Sequence, residues 1–360
     1  MTKKERLKRM ISGMSIDYFP SSLEFVPARR NSLLKELKMT PSEFDQYADN
    51  HIFFFYPLTE AAYYSSGNES DNELERYAVS KGVIRQHPDK QYLYDNFGTT
   101  WFKNPVGVRD TGNPLKGVED ISSYKWPTAY IDDLFSHFAS NDIKSEYLYS
   151  CGLQHLTIWE RGFLLLGYEN MLLDLYLNPE RVNYVMDKIT EFHVELANEF
   201  VKTETDSVRI GDDYGTQKAL QMPPDIWRKS IGPRLKKIYS VYKGAGITIM
   251  QHSCGCITEI IPDLINMGLD VLHPIQPLAM DIKYLANEYG KDLTFFGGID
   301  TQQLLPYSKP EEVRSAVRQC VDILGRHGKY IIAPSQEIML DVPTENIIAL
   351  IEAIREFRAI

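Results

Sequence analysis

The sequence predicts an α/β protein built around a (β/α)8 barrel, and three observations carry that prediction. From Asp206 onward, short apolar runs alternate with polar loops and amphipathic stretches, the pattern of a parallel sheet covered by helices. The units follow one another without a change of pattern, which favours a closed barrel over an open doubly wound sheet. No Gly-x-Gly-x-x-Gly follows any apolar run, so the open dinucleotide-binding alternative lacks its signature.

Each element has its own local reason. Residues 1–85 read as mainly helical and irregular, an N-terminal elaboration laid over the barrel within the same domain, with the barrel itself over 86–360. The aromatic run from His51 to Tyr56 reads as core packing, with a roof over a substrate as the alternative. Tyr92–Gly98 and Asn104–Val108 suggest short strands or a hairpin, and Glu146–Tyr149 a strand. A helical region over about 155–203 follows, with Pro179-Glu180 opening its second helix. Apolar runs then mark strands at Val208–Ile210, Ile247–Met250, Val271–Leu272, Leu293–Phe296 and Tyr330–Ala333. Amphipathic helices are predicted between and after them, over about 225–243, 257–268, 281–290, 310–327 and 344–358.

Composition narrows the function. A net charge of −10 over 360 residues argues against nucleic acid, which needs a clustered basic surface. The basic first ten residues lack a following apolar region, and no run approaches the roughly 20 residues needed to span a bilayer. A soluble, cytoplasmic protein acting on a small molecule is expected. Four cysteines, at 151, 254, 256 and 320, are too few for a disulfide framework in a chain of this length and are read as reduced.

The densest chemistry is His252-Ser-Cys254-Gly-Cys256, directly after a predicted strand. Alternate residues of an extended segment share a face, so His252 and Cys254 can converge on one ion. Zinc accepts imidazole and thiolate together and needs three protein ligands in a catalytic site. A buried free thiol beside a hydrogen-bonded histidine is the competing reading. Cys256 reads as structural. The other strand ends are also polar: Gly211-Asp-Asp-Tyr-Gly-Thr-Gln217, His273-Pro-Ile-Gln276, Gly297-Gly-Ile-Asp300-Thr-Gln302 and Ser335-Gln336-Glu337. Five polar strand ends on one face of a barrel make a catalytic mouth, although polar loops also arise without function. From this mouth Tyr214, Gln217, Gln276, Asp300, Gln302 and Gln336 are candidates for substrate binding. Asp212 and Asp213 are candidates for orienting a substrate or managing its proton, with a helix cap as the competing role. His273 is a candidate acid or base.

These strand-end motifs, together with Asn96-Phe-Gly98, Trp101 and Asp341-Val-Pro-Thr-Glu-Asn346, resemble the uroporphyrinogen decarboxylase superfamily over roughly residues 90–355. Within it, the resemblance is to the branch of zinc- and corrinoid-dependent methyltransferases. True uroporphyrinogen decarboxylases carry an Arg-Gln-Ala-Gly-Arg segment near the N-terminus and a Gly-His-Gly segment on the last strand. Here the N-terminal basic cluster is Pro27-Ala-Arg-Arg30, and the last strand leads into Ser335-Gln336-Glu337. The related methyltransferases hold zinc with His-x-Cys and a further cysteine after the last strand. The resemblance thus implies His252 and Cys254 as ligands, with an oxygen ligand in place of the third thiolate. Glu337 is the chosen candidate, and Asp212 or Asp213 the second. Cys320 falls within a predicted helix. The activity implied is zinc-dependent methyl transfer between a corrinoid protein and a thiol or a methoxylated small molecule. Cofactor-free decarboxylation in tetrapyrrole biosynthesis, and a tetrapyrrole- or corrinoid-binding module, are the alternatives.

Overall fold

The computed structural model describes residues 1–55, 69–104, 107–128, 140–154 and 156–360. Its strands are β1 (Ile52–Phe55), β2 (Arg85–Gln86), β3 (Tyr92–Tyr94), β4 (Thr100–Asn104), β5 (Gly107–Gly112), β6 (Leu148–Gln154), β7 (Ser207–Gly211), β8 (Thr248–His252), β9 (Val271–Ile275), β10 (Thr294–Ile299) and β11 (Tyr330–Pro334). Seven of them form a curled parallel sheet in the order β1-β6-β7-β8-β9-β10-β11. Strands β7, β9, β10 and β11 are buried at every position, as expected for a sheet covered on both faces, and this explains the short apolar runs that mark them. Helices Pro179–Phe200, Gly232–Gly244, Ile261–Met267, Ile282–Tyr289, Pro310–Leu324 and Thr344–Phe357 provide the outer layer. Proline opens several helices, at Pro179, Pro224 and Pro310 among them, where its missing N–H costs nothing.

The N-terminal segment joins the two ends of this sheet. Ile332 of β11 donates its N–H to Pro20 and accepts from Ser22, while the His51 N–H, just before β1, donates to the carbonyl of Ser21. Pro20–Ser22 therefore stands where an eighth strand would, and the fold is a (β/α)8 barrel with that segment completing the ring. β1 and this closing segment are thus part of the barrel wall. The aromatic run is that first strand. Phe55 is buried and stacks on Tyr149 of β6 at 4.4 Å, and Phe54 lies beneath the Arg209 guanidinium at 4.1 Å. Tyr56 lies outside the described residues.

Other differences are local. The strand predicted from Glu146 begins at Leu148, because Ser140 caps a short helix, Asn141–Glu146, which uses those residues first. The long helical region is three helices, Trp159–Leu166, Tyr168–Leu177 and Pro179–Phe200, broken at Gly167, whose φ of +88° suits glycine, and at Asn178 before Pro179. The predicted hairpin is part of a four-stranded antiparallel sheet, β2-β3-β4-β5. A buried ion pair pins this sheet to the barrel. Arg161 reaches Asp95 at 2.5 Å, and the same carboxylate accepts the Trp101 indole N–H at 3.0 Å and the Thr99 N–H at 2.9 Å. None of the four cysteines takes part in a disulfide. Among the described residues no helix is long and apolar enough to cross a membrane.

Candidate functional site

Sheet register decides which strand-end residues face the barrel mouth. Gly211, His252 and His273 are Cα partners across β7, β8 and β9, so they and the residues two positions away share one face. Arg209 and Asp213 belong to that inner face, whereas Val208, Ile210 and Asp212 point to the helices.

Three side chains converge at the mouth. His252 Nε2 lies 3.4 Å from Asp213 Oδ1 and 3.6 Å from Cys254 Sγ. Asp213 Oδ1 also accepts the Cys254 backbone N–H at 2.8 Å. Ligand atoms of Asp213, His252 and Cys254 all fall within 4.8 Å of one another. The loop is held by a close approach of two backbones. Gly255 has φ +81°, and a Cβ there would lie 2.5 Å from Gly215, so only glycine suits the position. Cys256 continues this contact through its N–H, which donates to the Thr216 carbonyl at 2.7 Å.

The two adjacent aspartates have different surroundings. Asp212 is fully buried and accepts the N–H groups of Ile158, Trp159 and Glu160 at 2.6, 2.8 and 3.0 Å, with the Tyr214 hydroxyl at 3.3 Å. It caps the helix Trp159–Leu166 from a neighbouring element, and burial pushes its carboxyl up, to about 7, against those donors. Asp212 thus holds the start of that helix against β7. Tyr214 is likewise fully buried, against Trp227, with ring centroids 5.6 Å apart.

The remaining candidates separate similarly. His273 is buried, its Nδ1 lies 2.9 Å from His252 Nδ1, and its ring packs on Phe296. Gln276 accepts the Gly255 N–H and so braces the loop. Asp300 accepts the N–H groups of Gln302, Gln303 and Leu304, which makes it a cap for the next turn. Gln217 and Gln302 are exposed. Gln336 reaches across the mouth, its amide Nε2 3.7 Å from Cys254 Sγ.

Glu337 does not join the converging group. It faces Glu24 and Arg209, and burial, followed by the Glu24 charge, pushes its carboxyl up to about 7. Arg209 is held there by Glu24 through two hydrogen bonds of 2.6 and 2.8 Å. Strand alternation would have found the carboxylate that does converge, since Asp213 has the parity of Gly211 and Asp212 does not.

A cation fits the converging donors chemically. Burial, with Asp213 and Glu160 adding to it, raises the Cys254 thiol well above its ordinary value, so without a cation it keeps its proton. A divalent ion would reverse that balance. Imidazole, thiolate and carboxylate together suit borderline-soft zinc, and three protein ligands leave a position for a substrate.

Comparison with known proteins places these residues in a family context. Residues 162–357 match the family model for uroporphyrinogen decarboxylase (URO-D). The chain is 21% identical over 190 residues to the methylated-thiol–coenzyme M methyltransferase of Methanosarcina mazei, covering 53% of this chain and 48% of that one. It is 24% identical over 184 residues to uroporphyrinogen decarboxylase of Christiangramia forsetii, covering 51% and 50%. The chain thus spans about half the length of these curated relatives. A solved methyltransferase from Methanosarcina mazei matches over 100% of both chains with a TM-score of 0.66 at 17% identity, a likeness of fold.

Proposed function

The chain belongs to the uroporphyrinogen decarboxylase family, and from that premise we propose that it is a zinc-dependent methyltransferase, moving a methyl group between a corrinoid protein and a thiol or methoxylated small molecule. The observation that carries this reading is the convergence of Asp213, His252 and Cys254 at the barrel mouth. The methyltransferase named among its relatives supports the same reaction class.

Zinc held by Asp213, His252 and Cys254 would supply a Lewis acid for the anionic sulfur or oxygen between which and the corrinoid the methyl group passes. The chain's own residues prepare the place. His252 and Cys254, one residue apart on alternation, supply nitrogen and sulfur, and Asp213 supplies an oxygen while fixing the loop through the Cys254 N–H. Gln336 offers an amide N–H toward Cys254 Sγ, the kind of donor that holds a neighbouring negative charge. Asp212 and Gln276 keep β7 and the Cys254 loop in position.

Metal content of the purified protein and of Cys254→Ser, measured by mass spectrometry, tests the proposal. Near-stoichiometric zinc that disappears in the variant is the expected result. Equal metal content in both would remove Cys254 from the ligand set. Turnover of a porphyrinogen in the presence of chelator, with no bound metal, would instead indicate the activity named for the Christiangramia forsetii relative; tetrapyrrole binding without turnover would indicate a binding module.

A further inference from the structure

We infer that His273 is a positioning residue: by accepting a hydrogen bond from Nδ1 of His252 it fixes the tautomer in which the His252 Nε2 lone pair faces Asp213 and Cys254. The inference rests on the zinc reading of that site and adds to it a residue that meets His252 on its other ring nitrogen.

Geometry supports it at each step. The two Nδ1 atoms are 2.9 Å apart, a hydrogen-bond distance that requires one ring to donate and the other to accept. His252 Nε2 faces Asp213 Oδ1 and Cys254 Sγ, so an ion shared by these atoms needs the lone pair at Nε2. The His252 proton then sits on Nδ1, and His273 must be the acceptor. A ligating histidine is ordinarily held in this way by a group on its other nitrogen.

His273 is itself well fixed. It is buried, its centroid lies 4.4 Å from that of Phe296, and the two histidines are register partners on adjacent strands. Residues in such register keep their spacing because the ladder hydrogen bonds set it. The Ser253 N–H, immediately after His252, donates to the His273 carbonyl at 2.9 Å, so backbone and side chain tie the same pair together. With its Nδ1 taken up by His252 and its ring packed on Phe296, His273 is placed to act through the ligand.

Two substitutions separate orientation from simple packing. In His273→Asn the amide oxygen occupies nearly the place of the imidazole Nδ1 and can accept from His252. His273→Leu fills comparable space with no acceptor. Zinc affinity of the purified proteins, measured by competition with a chromophoric chelator, is expected to fall roughly 10–100-fold in His273→Leu and to recover in His273→Asn. The ligand-field spectrum of cobalt-loaded protein is expected to change in His273→Leu alone. Wild-type affinity and spectrum in a folded His273→Leu would overturn the inference and leave the zinc reading standing. A wild-type protein that takes up no zinc would overturn both.

Discussion

The barrel holds two groups of ionisable side chains on its inner face, and they treat charge in opposite ways. The upper group, Asp213, His252 and Cys254, gathers three ligand atoms within 4.8 Å. The lower one is centred on Arg209, two residues before Gly211 on β7, held by Glu24 with Glu337 nearby. It brings its own cation. A buried arginine with two hydrogen bonds to one carboxylate is a settled structure, whereas a carboxylate, an imidazole and a buried thiol become mutually stabilising around a metal ion. The difference teaches that clustered acidic and basic residues in a barrel are not one kind of site: the supplier of the positive charge decides whether the cluster holds the fold or binds a ligand.

Breaking the lower group should give the largest loss of stability. Arg209→Met removes the cation and leaves Glu24 and Glu337 facing each other, which should cost about 3–5 kcal/mol in denaturant unfolding. Zinc content of the folded fraction should stay at the wild-type level. A variant that loses zinc without losing stability would join the two groups into one functional unit and end the contrast.

The upper group should respond in reverse. Asp213→Asn keeps an oxygen that can accept from the Cys254 N–H and removes the negative charge offered to an ion. Unfolding free energy should change by less than about 1 kcal/mol, as for most partly exposed substitutions, while zinc affinity falls by one to two orders of magnitude. Chelator competition and denaturant melts on the same preparation measure both. A large stability loss with zinc retained would make Asp213 an anchor like Asp212 and return Glu337 to consideration as a ligand.

How much of this contrast the sequence displayed depends on separation along the chain. The convergence of His252 and Cys254 is legible because strand alternation acts over three residues. The Asp212–Asp213 pair is visible as a pair. Its division into an anchor and a mouth-facing carboxylate follows from which residue shares parity with the inner face, and that requires the register with His252. The lower group is invisible, since Arg209 and Glu24 are 185 residues apart and nothing local links them. The barrel's closure is hidden for the same reason: Pro20–Ser22 makes its ladder contacts with Ile332, and so short a segment shows no alternation of its own. Strands β7 to β11 were readable because burial on both faces leaves a short apolar run in each one.

The smallest effect concerns Glu337, where the two groups come nearest in sequence through Gln336 and its contact with Cys254. Its carboxyl is raised from 4.5 to about 7, by burial first and the Glu24 charge second. A folded-state value above the unfolded one stabilises the native protein fully below pH 4.5, where both states hold the proton. That contribution is lost as pH rises toward 7, because the unfolded chain releases its proton first. Glu337→Gln mimics the protonated form at every pH. The variant should therefore match wild type near pH 4.5 and exceed its stability by on the order of 1 kcal/mol at pH 8, a figure reduced for partial exposure. Equal stability at both pH values would mean that the Arg209 charge keeps Glu337 ionised, and the lower group would then be a three-membered ionic cluster in place of a pair with a neutral neighbour.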